Sequence, residues 1–110
     1  MNQNGESAVH VWLEDEDGIE AYLRVMDRGI ESEHVSIGRV IAVKRRSGVG
    51  TQVLSEGIRA ARECFGADKI YLEAQVYAKS FYEKAGFHQV SDEFLEDGIP
   101  HIKMIREAEV

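Results

Sequence analysis

The sequence predicts one α+β domain: a mixed, mostly antiparallel sheet flanked by helices, in the order β-β-β-α-β-α-β-β. Three observations predict it. Apolar residues alternate with period two in several short stretches separated by turn residues. One long stretch, 49–65, carries its apolar residues at helical spacing. Hairpin-type turns join the first strands, whereas the long helix must cross over to reach the next one, and that combination makes a mixed sheet. At 110 residues the chain is too short for two cores and long enough to fold without staples.

The elements follow in order. Met1 to Ser7 is polar and is expected to fray. Ala8 to Leu13 alternates, with Val9, Val11 and Leu13 on one face. Glu14 to Gly18 turns the chain, and Asp17-Gly18 is a strong hairpin signal. Ile19 to Val25 returns, and Asp27 to Glu33 is a charged connection to which the residues assign no chemistry. Val35 to Val43 forms the next strand, with Val35, Ile37, Ile41 and Val43 on one face and Arg39 interrupting them. That arginine either reaches solvent at a sheet edge or lines a polar site.

Val49 to Phe65 is the clearest helix. Its stripe runs Val49, Val53, Leu54, Ile58, Ala61, Cys64, Phe65, with Gly57 a weak point and Gly66 a stop. Lys69 to Ala74 is a strand facing Ile70, Leu72 and Ala74 one way. Ala78 to Ala85 is a second helix, stopped by Gly86. His88 to Glu93 and His101 to Ile105 complete the sheet, joined by a turn from Glu96 to Pro100 in which Pro100 is the marker.

Composition narrows the function. The formal net charge of −7 argues against nucleic acid, whose phosphates need a basic face, and suits a cationic acceptor as well as plain solubility. No apolar run approaches the ~20 residues of a membrane span. The single cysteine, Cys64, excludes an internal disulfide and reads as a buried structural thiol. One cysteine and no leader segment fit a reducing cytoplasm. The histidines have no metal-ligand spacing, so no metal site is expected.

Against the acidic background, Lys44-Arg45-Arg46-Ser47-Gly48-Val49-Gly50-Thr51 is a basic, glycine-containing turn between a strand and the long helix. A helix N-terminus presents unpaired N–H groups and a partial positive charge. Glycines let a pyrophosphate approach the backbone, Thr51 adds a hydroxyl and the arginines add charge. Neither a Walker sequence nor Gly-x-Gly-x-x-Gly is present. Taken alone, the two glycines could equally make an ordinary strand-to-helix turn.

About thirty residues on comes Ala78 followed by Tyr82-Glu83-Lys84-Ala85-Gly86-Phe87. Together the two motifs resemble the GNAT N-acetyltransferase superfamily. Its phosphate-binding signature is Gln/Arg-x-x-Gly-x-Gly/Ala, matched by Arg45, Gly48 and Gly50, and its second signature ends in a Tyr-Glu-Lys-x-Gly-Phe run. The resemblance runs from about Ala8 to the C-terminus. Within the superfamily, Tyr71 to Gln75 and Glu96 to His101 are similar to the ElaA-type branch.

The resemblance implies acetyl-CoA as cosubstrate and transfer of its acetyl group to an amine, on a small molecule or a protein, by direct attack. Ile41, Ala42 and Val43 would offer main-chain groups to the pantetheine arm. Arg45, Arg46, Ser47, Gly48, Val49, Gly50 and Thr51 would hold the pyrophosphate. Gln75, where many relatives carry asparagine, and Ser80 would complete the cofactor side. A main-chain N–H near the end of the Val35–Val43 strand would stabilise the developing oxyanion. Tyr82 would protonate the departing thiolate, a role suited to a phenol whose ordinary pKa lies near that of a thiol. Glu73 and His101 are the candidate bases. Each of these three has a bland reading: Tyr82 as a packing aromatic, Glu73 as a solvated strand end, His101 as a turn-packing residue.

Relative to a full GNAT domain the chain lacks the first strand and the helices that wall the acceptor site. An open wall for a large acceptor, a homodimer that supplies the wall, and a non-catalytic CoA-binding sensor or partner subunit are the three consequences to distinguish. A structural domain without ligand is the remaining reading.

Overall fold

The computed structural model describes residues 2–4, 7–43 and 48–107. Among these, eight strands form one sheet and two helices pack on one of its faces. The strands are β1 (Asn2–Asn4), β2 (Ala8–Asp15), β3 (Gly18–Met26), β4 (Val35–Ala42), β5 (Lys69–Gln75), β6 (Phe87–Gln89), β7 (Phe94–Glu96) and β8 (Ile99–Glu107). The helices are α1 (Val49–Phe65) and α2 (Lys79–Glu83), the latter entered through a 3-10 turn at Val76–Ala78. Spatial order is β1-β2-β3-β4-β5-β8-β6, with β7 on β8, and β4–β5 is the parallel pair. This is the mixed, mostly antiparallel sheet the sequence predicts.

The core lies between this sheet and α1. Val9 and Val11 of β2, Leu23 and Val25 of β3, Val35 of β4, Ile70 and Leu72 of β5, and Ile102 and Met104 of β8 are all at most 2% exposed. They meet Val53, Leu54 and Ala61 of α1. Gly57 belongs to this contact. A Cβ there would stand 2.8 Å from both methyls of Leu23, so the glycine lets α1 lie close on β3. Gly66 ends α1 in the left-handed conformation (φ 60°) that favours glycine.

Several sequence expectations need correction. Asn2–Asn4 does not fray: its backbone pairs antiparallel with Val9–Val11, using the open edge of β2. Cys64 is exposed, because its position on α1 points it away from the sheet at the margin of the apolar stripe. In the last hairpin Asp97 and Gly98 both have positive φ (52° and 76°) and make the two-residue turn, with Glu96 opposite Ile99. Pro100 therefore lies in β8 opposite Leu95 and does not mark the turn. Of the segment read as one strand over 88–93, only His88 and Gln89 lie in a strand, β6; 90–93 connect it to β7, and both short strands pair with β8.

The largest correction concerns β4. Tyr22 pairs with Ile41 and Arg24 with Gly38, so Arg39 and Val40 together stand opposite Leu23. This is a β-bulge, with Arg39 at φ 55°. The extra residue reverses the alternation beyond it. Val40 and Ala42 turn to the helix side and pack on the core, whereas Ile41 and Val43 are 54% and 64% exposed.

Candidate functional site

The bulge also turns β4 away from β5. Parallel pairing holds only at Val35–Ile70 and Ser36–Tyr71, and beyond these two pairs the strands part. Val43 N–H donates to the Glu20 carbonyl at 2.7 Å, so the main-chain groups of Val43 point toward β3. By strand alternation those of Ile41 do too, and those of Val40 and Ala42 face the gap left by β5. Of the Ile41, Ala42 and Val43 expected to offer main-chain groups there, the geometry keeps Ala42 and adds Val40.

On the helix side of this gap lies a cleft of about 630 Å³. The end of β4 (Val40 to Ala42), the start of α1 (Gly48, Gly50, Thr51) and the second helical segment (Tyr77, Ala78, Phe81, Tyr82) form its walls. Gly48 is the N-cap of α1, at φ 79°, with no side-chain cap. Its carbonyl accepts from Gln52 N–H at 3.0 Å, and the N–H groups of Val49, Gly50 and Thr51 are the first-turn donors with no partner within the helix. No acidic residue stands in that turn. Among the described residues, nothing beyond its chain neighbours lies within 4 Å of where a Gly48 Cβ would be. A phosphate-bearing group fits these donors, and any side chain at Gly48 would occupy its approach. Lys44, Arg45, Arg46 and Ser47 lie outside the described residues.

Tyr82 stands at the far wall, 9% exposed, with its ring edge-to-face to Phe81 (5.1 Å between centroids) and Phe87 (6.0 Å). Burial, helped by nearby Tyr77, pushes its hydroxyl up to about 12. The phenol is thus fully protonated at neutral pH but is no longer matched to a free thiol. Gln75, at the end of β5, and Ser80, exposed on α2, do not line the cleft. Tyr77, Phe81 and Val40 do, and the sequence reading missed them. The available signal in the sequence was an aromatic, Tyr77, next to Ala78 of the second motif; in the structure it is 81% exposed.

A smaller cavity of about 260 Å³ adjoins the first half of β4 and the middle of β5. Glu73 lines it, and so does Arg39, which is also exposed to solvent. The Tyr71 hydroxyl donates to Glu73 Oε2 at 2.7 Å. Burial, that hydrogen bond and the charges of Glu73, Glu96 and Glu31 all raise the Tyr71 hydroxyl well above the ordinary phenol range, so Tyr71 remains the donor. Glu96 also lines the cavity. It stands 3.5 Å from His101 Nε2, while His101 Nδ1 donates to the Ile99 carbonyl at 2.7 Å and the ring stacks on Phe94. His101 is 9% exposed and does not line the cavity, so the structure sets the two candidate bases apart. The signal for Tyr71 was its spacing, two residues before Glu73 on the same strand face.

Comparison with known proteins agrees with this architecture. A family model described as an acetyltransferase (GNAT) domain matches residues 1–108. Over 98 residues the chain is 38% identical to the protein ElaA of Escherichia coli, covering 87% of this chain and 63% of that protein. The chain thus spans less than two thirds of that relative. The crystal structure of Escherichia coli ElaA superposes with a TM-score of 0.83 at 34% identity, covering 94% of this chain and 70% of that one. An acyl-CoA N-acyltransferase from Pseudomonas aeruginosa superposes with a TM-score of 0.81, also at 34% identity, covering 90% and 68%. By this family match and these relatives, the chain belongs to the GNAT acetyltransferase family, in its ElaA-like branch.

Proposed function

We propose that the chain is an N-acetyltransferase domain that takes the acetyl group of acetyl-CoA to an amine. The observation that carries this reading is that the start of α1, the end of β4 and Tyr82 line one cleft. The first-turn N–H groups of Val49, Gly50 and Thr51 hold the pyrophosphate, with Arg45 and Arg46 adjoining in sequence to supply charge. Val40 and Ala42 bind the pantetheine amide groups and orient the thioester in the gap between β4 and β5. A main-chain N–H of that stretch stabilises the charge that develops on the carbonyl oxygen.

The step balances on two side chains. Glu73 accepts the proton that the ammonium must lose, directly or through a water, through the oxygen that Tyr71 leaves unused. The amine nitrogen bonds to the acetyl carbon, the carbon–sulfur bond breaks, and Tyr82 gives its proton to the sulfur. Burial keeps Tyr82 protonated until that step, so the proton is in place when the sulfur leaves. His101, committed to Ile99 and Glu96, holds the last hairpin beside the cavity. In Tyr82→Phe, turnover should fall about 10²–10⁴-fold while acetyl-CoA affinity stays within a few-fold.

One observation favours the second reading, a CoA-binding module without transfer. The Tyr82 ring is packed between Phe81 and Phe87 as a core aromatic would be. Under that reading Tyr82→Phe leaves nothing to slow, and acetyl-CoA binds with no thiol released against any amine.

A further inference from the structure

The smaller cavity holds two polar atoms without partners. Ser36, 2% exposed, has a hydroxyl with no hydrogen bond, and Arg24 Nε is likewise unsatisfied. Both residues line the cavity beside β4. A guanidinium has donors only, so Arg24 lacks an oxygen acceptor, and leaving a buried donor without one is unfavourable. Arg24 Nη2, which shares one edge of the guanidinium with Nε, meets Glu31 Oε1 at 3.6 Å. That is longer than the ~2.7–2.9 Å of a charge-assisted hydrogen bond. The Glu31 side chain is 51% exposed, on the loop between β3 and β4. A fork built for two oxygens therefore holds one carboxylate loosely and by one tine.

The rest of the lining carries both signs, with Arg39 beside Glu73 and Glu96. Glu73 uses one oxygen on Tyr71, and Glu96 stands nearby. Ser36 is directly across from Tyr71, and Glu73 lies two residues farther along β5, about 6.6 Å at the usual strand rise. The Arg24 and Ser36 donors and the Glu73 carboxylate are thus set several bonds apart. At about 260 Å³ the space falls below the ~300–1,000 Å³ of sites for drug-sized ligands, so it suits a small molecule.

We propose that the acceptor is a small amino acid-like molecule, its amine toward Glu73 and its carboxylate on the Nε–Nη2 edge of Arg24 and the Ser36 hydroxyl. Glu31 holds the place of that carboxylate and leaves Arg24 when the acceptor enters. This rests on the transferase reading above and names the class of acceptor. It excludes a diamine, for which Glu31 would be an asset, whereas for an amino acid Glu31 is a competitor.

The test is thiol release at saturating acetyl-CoA, with 4-aminobutanoate, butylamine and 1,4-diaminobutane as matched acceptors and glycine, 3-aminopropanoate and 5-aminopentanoate as a length series. The best amino acid of the series should have a KM at least about tenfold below that of butylamine. Glu31→Gln, an exposed change that the fold tolerates, should lower KM for the amino acids and raise it for the diamine. Arg24→Gln and Ser36→Ala should each raise the amino acid KM about ten- to hundredfold, much more than they raise that of butylamine; Ser36→Ala keeps the test open if Arg24→Gln fails to fold. A preference for butylamine or the diamine, or a Glu31→Gln variant that weakens the amino acids, overturns the inference and leaves the transferase reading standing. Should no amine release thiol while acetyl-CoA still binds, the transferase reading is what fails. Calorimetric titration of 4-aminobutanoate into the acetyl-CoA complex then decides the inference: binding weakened tenfold by Ser36→Ala sustains it, and absence of binding overturns it.

Discussion

Replacing Gly48 by aspartate and by asparagine separates charge from volume at the phosphate cradle. Gly48 is the left-handed N-cap of α1, and among the described residues nothing beyond its chain neighbours lies within 4 Å of where its Cβ would be. Asn and Asp are also the non-glycine residues that best tolerate this conformation, and both variants share a backbone penalty of no more than about 1–2 kcal/mol. They differ by one charge. At an effective dielectric of about 20, a carboxylate about 4–8 Å from a phosphate charge adds about 2–4 kcal/mol of repulsion. That corresponds to acetyl-CoA binding about 30- to 1,000-fold weaker in Gly48→Asp than in Gly48→Asn. Calorimetric titration of both variants with acetyl-CoA reads the difference, and thermal unfolding confirms that both are folded. Equal affinities for the two variants would refute the placement of the pyrophosphate at this helix end.

Other positions give independent checks. The Tyr82 hydroxyl rises from about 10 to about 12 on folding, so the folded state holds its proton more tightly. The stability this contributes is complete below pH 10 and is lost as pH rises through 12. Wild-type protein should therefore lose up to about 3 kcal/mol between pH 10 and 12 that Tyr82→Phe does not lose, as read by urea unfolding across that range. Equal losses would place the shift elsewhere. Gly57→Ala should destabilise the fold by about 1 kcal/mol, because crowding of about 1–3 kcal/mol against the buried Leu23 methyls exceeds the ~1 kcal/mol gain in helix propensity. The same change combined with Leu23→Ala should be non-additive in a double-mutant cycle. Cys64, being exposed, should react with a thiol reagent in native protein as fast as in denaturant, and Cys64→Ser should stay within about 0.5 kcal/mol of wild type; slow native labelling would return it to the core.

Local signals carried much of the fold. The stripe from Val49 to Phe65 defined α1 to the residue and Gly66 ended it as expected, whereas the first hairpin turns at Glu16-Asp17, with Gly18 already in β3 opposite Asp15. What local patterns could not show was long-range register. Nothing in Arg39 itself announces that it adopts a left-handed conformation, yet that one residue reverses the faces of Ile41 and Val43 and opens the gap on which the proposed site depends. Gly57 reads as a helix defect until Leu23 is seen across from it. Cys64 sat at the margin of the stripe, where one residue's rotation decides between core and solvent. For the site, Gly48, Gly50, Thr51 and Tyr82 were legible because a motif binds them in sequence, and the structure gathers them around one cleft. The cavity beside β4 was not legible, since Arg24, Ser36 and Glu73 come from three strands and meet only through the sheet.

The central claim is acetyl transfer from a cleft that binds acetyl-CoA. Its most direct test is calorimetric titration of the purified chain with acetyl-CoA, followed in the same sample by thiol release against a panel of amines. The account predicts saturable binding and release that depends on both the amine and Tyr82. Binding with no release from any amine would contradict transfer, and no binding would remove the cofactor site as well.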